Sequence, residues 1–99
     1  FRAGLFFLDE PESALSPQRQ LALMAQMYQL TNEGAQFIIA THSPILLAYP
    51  NAAIYNLDDS GVSRTHYNDL EHVTLTRSFL QDPNSYFRHL FSDAPSSRQ

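Results

Sequence analysis

A chain of 99 residues is long enough for one small domain, and 43% hydrophobic residues can build a core of modest size. With no cysteine it has neither a disulfide scaffold nor a thiolate metal site, and no apolar run approaches the ~18 residues of a membrane span. The net charge of −4 excludes a broad electrostatic footprint for nucleic acid, so the expectation is a cytoplasmic domain whose nucleic-acid contacts, if it has any, lie elsewhere.

The chain opens on Leu5-Phe6-Phe7-Leu8, which runs straight into Asp9-Glu10. A continuous apolar run predicts a strand buried on both faces. Carboxylates at its carboxyl end fall in the crevice where open α/β sheets bind ligands. Two adjacent acids there are costly to desolvate unless a cation or a reacting proton engages them. A magnesium-bound nucleotide phosphate meets that need, one acid serving the metal and the other the attacking water. The plainer reading is a strand ending in a solvated Asp-Glu turn.

Pro11 blocks a helix and fixes a turn, and Glu12-Ser13-Ala14-Leu15 reads as a short loop. Ser16-Pro17 predicts a helix N-cap followed by proline at the first helical position. Leu21, Met24, Ala25 and Tyr28 keep helical spacing, and Leu23, Met27 and Leu30 widen the stripe. Asn32 and Gly34 mark the stop, Gly34 as a left-handed cap. A second apolar run, Phe37-Ile38-Ile39-Ala40, ends in Thr41-His42-Ser43-Pro44. Strand, helix and strand at this length form a parallel βαβ unit with a right-handed crossover. Asp9, Glu10 and His42 then converge at one edge of the sheet.

Beyond His42, Ser43-Pro44 caps a short helix through Leu47, and Tyr49-Pro50-Asn51 is a turn. Residues 53–57 predict a strand, residues 58–61 a turn, and residues 62–67 a strand hairpinned to the first. Residues 71–81 read as a helix with Val73, Leu75, Phe79 and Leu80 apolar. Asp82-Pro83 ends it or caps a further helix over 84–91, whose apolar face is Tyr86, Phe87, Leu90 and Phe91. These aromatics read as packing rather than recognition. His66, His72 and His89 lack the spacing of a zinc site, and Arg64, Arg77, Arg88 and Arg98 read as solvated.

Taken together, three segments resemble motifs of ABC-type ATPases. Residues 5–12 resemble the Walker B segment, Ser13-Ala14-Leu15-Ser16 the D-loop, and Ile39-Ala40-Thr41-His42 the switch-histidine strand. The resemblance implies an α/β fold. It is an incomplete P-loop NTPase (ABC-like) core: a parallel βαβ unit followed by a β-hairpin and C-terminal helices. Residues 1–99 then form a single domain, with core and following strand over 1–57 and a hairpin and helical part over 58–99. It also implies that Asp9 holds Mg2+ through water, that Glu10 is the general base, and that His42 senses the γ-phosphate of ATP. Ser13, Ala14, Leu15 and Ser16 would line a homodimer interface.

Two positions depart from the transporter type: Glu12 stands where transporters carry Thr, and Ser43 where they often carry Asp. Asp9-Glu10-Pro11-Glu12 and Thr41-His42-Ser43-Pro44 are similar instead to soluble AAA/ABC-group ATPases, relatives of chromosome-maintenance, DNA-repair and phage-defence enzymes. Ser16 replaces an Asp of many relatives, which removes a charged contact across a dimer.

There is no G-x-x-x-x-G-K-[ST] loop, since the only glycines are 4, 34 and 61, and no signature helix. The chain begins at Phe1 and is read as the carboxy-terminal part of a longer ATPase, inactive by itself. In the family's core a phosphate-loop strand separates the switch-histidine strand from the strand at 53–57. Its loss predicts that 53–57 moves into the gap, or that a second copy docks or swaps there. Two other functions fit the residues. One is a divalent-metal hydrolase or nuclease using Asp9, Glu10 and Glu12, with Asp58 and Asp59 as further carboxylates. The other is a non-catalytic interaction or dimerisation module.

Overall fold

The structure, a computed structural model, describes residues 4–92. Arg98, and all of the polar tail after Ser92, lie outside the described residues. The chain divides into two compact units, with the boundary between Thr65 and His66.

The first unit is built on a parallel pair, β1 (Leu5–Asp9) and β2 (Gln36–Ala40), joined by α1 (Pro17–Asn32). The register runs from Leu5 opposite Gln36 to Asp9 opposite Ala40. The ladder continues past both ends, with the Gln36 amide donating to the Gly4 carbonyl and the Glu10 amide to the Ala40 carbonyl, each at 2.7 Å. The predicted βαβ unit is therefore present. Its helix begins as expected: the Ser16 hydroxyl accepts from the Arg19 amide at 3.2 Å, and Pro17, with no N–H to satisfy, takes the first position. It ends at Asn32, and just beyond it the φ of 99° at Gly34 lets the Gly34 amide reach the Thr31 carbonyl and the Ala35 amide the Leu30 carbonyl.

The expectation that β1 is buried on both faces is corrected. Leu5 and Phe7 are 65% and 71% exposed, and Ile38 beside them is exposed as well. Leu8, Phe37 and Ile39, on the alternate face, are half-buried, and the Phe6 and Phe37 rings stack at 5.1 Å. A two-stranded sheet with a single crossover helix packed against β2 covers only one face.

The inward face of α1 is also rotated from the expected one. Gln20 and Met27 are buried and Leu23, Met24 and Leu30 half-buried, whereas Leu21, Ala25 and Tyr28 face outward. A buried glutamine sits on the apolar seam and hides its true centre. Pro11 does not exclude helical backbone either. Its fixed φ opens a 3₁₀ turn over Pro11–Ala14, the place where proline's missing amide costs nothing. The short helix expected after Ser43 is reduced to one 3₁₀ turn, Leu46–Ala48.

The gap-closing rearrangement within the chain does not occur. β3 (Ile54–Asp58) pairs antiparallel with β4 (Gly61–Thr65) in a separate two-stranded sheet and leaves β2 alone. The two-residue turn Asp59-Ser60 explains the choice. The Asp58 carboxylate accepts from the Ser60 amide at 2.9 Å and its hydroxyl at 2.6 Å, so β3 meets the nearest possible partner first. Arg64 lies over the Tyr55 ring at 5.8 Å and remains exposed, as expected.

The second unit holds α2 (Glu71–Gln81) and α3 (Pro83–Leu90). Asp82 ends one and caps the other, its carboxylate accepting from the Ser85 amide at 3.4 Å. Phe79 meets the Tyr86 and Phe87 rings edge-on, which ties the two helices together. Leu70 and Val73 are buried, while Leu75, Leu80, Leu90 and Phe91 are exposed, so only part of each expected apolar face packs. Arg77 lies over the Tyr67 ring and donates to the Asn68 side chain.

Candidate functional site

The carboxyl ends of β1 and β2 lie side by side because the pair is parallel and in register. Asp9 is the last residue of β1, opposite Ala40, and His42 follows two residues beyond. Glu10 comes next, and its backbone is unusual: φ 47° and ψ 54° place a non-glycine residue in the left-handed region. That conformation costs an ordinary L-residue about 1–2 kcal/mol, and such outliers gather at functional turns. The twist directs the chain from β1 into the turn at Pro11–Ala14, which the Ser13 amide closes on the Glu10 carbonyl at 3.1 Å. Asp9 and Glu10 are both exposed.

Glu12 turns toward the second strand. Its carboxylate accepts from the Thr41 hydroxyl at 2.6 Å and from the His42 amide at 3.0 Å. The Thr41 hydroxyl in turn accepts from the Ser43 amide at 2.9 Å. Partial burial pushes the Glu12 carboxyl up. The Thr41 hydroxyl, the His42 amide, its own amide and the nearby His42 imidazole outweigh that and hold it below its ordinary value of 4.5.

A second tether is buried. The Gln20 side-chain amide donates to the Leu15 carbonyl at 3.2 Å, and its oxygen accepts from the Ser43 hydroxyl. That hydroxyl oxygen also accepts from the Ile45 and Leu46 amides, each at 3.2 Å, capping the turn behind His42. Glu12 thus holds Thr41 and the His42 amide, while Gln20 of α1 bridges the Leu15 carbonyl to Ser43 on the far side of His42.

The expected residues fall as follows. Asp9 and Glu10 lie at the carboxyl end of β1, and His42 lies two residues past the end of the adjacent β2. Ser13, Ala14, Leu15 and Ser16 form the adjoining turn, with Ser16 committed to capping α1. Asp58 and Asp59 sit at the β3–β4 turn, and among the described residues no three His, Cys, Asp or Glu side chains gather as a metal-binding set. Sequence reasoning missed the joint work of Glu12, Thr41, Gln20 and Ser43. One signal was available: a glutamine on the inward face of an amphipathic helix needs a polar partner.

Residues 2–48 match a family model described as "AAA domain, putative AbiEii toxin, Type IV TA system". The match spans just under half of the chain and contains every residue of the β1–β2 edge. That half is similar to an AAA-type, P-loop ATPase-like domain. No curated protein and no solved structure matches the chain. Among the described residues no helix is long and apolar enough to cross a membrane.

Proposed function

We propose that the chain is the carboxy-terminal half of an ATP-binding, ATP-hydrolysing ABC-like ATPase that works as a homodimer, residues 1–99 forming part of one ATPase domain. The observation that carries this is the strained Glu10. A carboxylate held in left-handed backbone at the end of a parallel strand, next to Asp9 and beside the His42 turn, is where in-line phosphoryl transfer needs acid–base and charge-stabilising groups.

Glu10 orients a water and accepts its proton as the water oxygen bonds to the γ-phosphorus and the bond to the ADP oxygen breaks. His42 donates a hydrogen bond to the γ-phosphate oxygens. This edge offers single carboxylates rather than a preformed metal-binding set, which suits a magnesium ion that arrives with its nucleotide. Mg2+ keeps several waters and takes one or two carboxylates plus substrate phosphates, and Asp9 is an exposed carboxylate in the position to serve it. When bound, the ion supplies charge neutralisation at the β- and γ-phosphates. These 99 residues hold no G-x-x-x-x-G-K-[ST] loop to cradle the β-phosphate, so the chain alone is expected to be inactive. Ser13, Ala14 and Leu15 present the turn to a second protomer.

The test is phosphate release from ATP by the full-length protein, with Asp9→Asn beside it. Release by the wild type and a loss on the order of 100-fold in the variant are expected. ATP that binds the wild type without being hydrolysed contradicts the reading.

A further inference from the structure

We propose that Glu12 is a positioning residue: its carboxylate clamps the Thr41–His42 turn and thereby sets where His42 stands relative to Asp9 and Glu10. The inference rests on the ATPase reading for its catalytic consequence, but its geometry stands apart from it.

A side chain two residues past the general base reaches across the strand gap and engages two donors on successive residues. One is a hydroxyl at 2.6 Å and the other a backbone amide at 3.0 Å. Both bonds are to an ionised acceptor, the stronger class, and the lowering of the Glu12 carboxyl below its ordinary value agrees with that. Hydrogen bonds to a backbone amide fix φ and ψ as well as a side chain. Gripping the amide of His42 itself therefore limits the orientation of that residue more than a contact with its ring would. The hydroxyl of Thr41 passes the constraint on by accepting from the Ser43 amide.

The buried Gln20–Ser43 bridge holds the far side of the same turn. That bridge does not involve Glu12, so the fold is expected to survive the substitution while the clamp on the His42 amide is lost. Both carboxylate oxygens of Glu12 are engaged by the turn, Oε1 by the Thr41 hydroxyl and Oε2 by the His42 amide. Glu12 acts through His42.

Two readouts test this. Hydrogen exchange of the full-length protein reads the clamp directly. Glu12→Ala and Glu12→Gln should speed exchange at the His42 amide by about 10-fold, with the Phe37–Ile39 amides unchanged. Glu12→Gln keeps the length but offers an amide group to one of two donors, so it separates the ionised clamp from mere bulk. In the full-length protein the same variants should lower kcat for ATP by about 10-fold while KM stays within about 2-fold. Thr41→Val should follow part of the way, and Thr41→Ser, which keeps the hydroxyl, should return to wild-type values. Unchanged exchange at His42, or exchange that rises equally throughout β1 and β2, overturns the clamp. Faster exchange at His42 with an unaltered kcat overturns the positioning role. A wild type that binds ATP without hydrolysing it defeats the ATPase reading and the catalytic half of this proposal, while the exchange result alone still decides the clamp.

Discussion

The Glu10 amide donates to the Ala40 carbonyl at 2.7 Å, one step beyond the last paired residue of β1. The bond carries the parallel ladder past the strand end and holds the strained residue against its neighbour. Glu10 is therefore anchored through its backbone while its side chain is exposed, an arrangement that suits a group placed for chemistry rather than for packing.

Strain at this position leads to the first prediction. Glu10→Gly relieves the left-handed backbone, and the greater freedom of glycine in the unfolded chain offsets part of the gain. The variant should be as stable as wild type or more so, by up to about 1 kcal/mol, and should lose ATP turnover. Denaturant unfolding of the 99-residue chain measures the first effect. A loss of more than about 1 kcal/mol would show that Glu10 is structural.

Acidity at Glu12 predicts a pH dependence with a definite direction. The folded-state carboxyl is held below its ordinary value of 4.5. Its contribution is therefore present above that value and is lost as pH falls through the lower, folded-state one. The carboxylate is only partly buried, so the contribution is less than about 1 kcal/mol after screening. Unfolding midpoints followed downward from pH 6 should fall more steeply in wild type than in Glu12→Gln, which keeps only the fall due to other carboxylates such as Asp58; parallel curves for the two proteins contradict the clamp as an ionised one.

The seam of α1 separates two substitutions that hydrophobicity alone would rank together. Met27→Ala should cost about 2–4 kcal/mol, because the side chain is buried, whereas Tyr28→Ala, exposed one residue on, should cost less than about 0.5 kcal/mol. Equal losses in thermal or denaturant unfolding would mean that the helix face is wrongly placed.

Gln20→Leu tests the buried bridge. Leucine fits the apolar seam but strips the Ser43 hydroxyl and the Leu15 carbonyl of a partner. A loss of about 1–3 kcal/mol is expected despite the gain in hydrophobicity. A neutral or stabilising result says that both groups find other partners and that the bridge contributes nothing.

The parallel βαβ unit was legible because local signals agreed. Ser16, Pro17 and Gly34 punctuate α1, and the apolar runs on either side match strand length. The hairpin was legible from its turn, since Asp58 and Ser60 are short polar residues that bond their own backbone. The burial of β1 was not, because Phe7 and Leu5 read the same in a covered strand as in a bare one, and coverage depends on elements a local pattern does not reveal. At the site, Asp9, Glu10 and His42 could be placed together from strand direction alone. The pairing of Glu12 with Thr41 could not, since it joins residues 29 apart through side-chain geometry that no periodicity encodes.

The most direct measurement is ATP hydrolysis by the full-length protein, wild type beside Glu10→Gln, with nucleotide binding measured on both. The account predicts that wild type turns over and that the variant binds ATP but is slower by on the order of 100-fold or more, accumulating as a nucleotide-bound dimer. Equal turnover by the two proteins would contradict it, since the proton would then be leaving the attacking water by a route that does not involve Glu10.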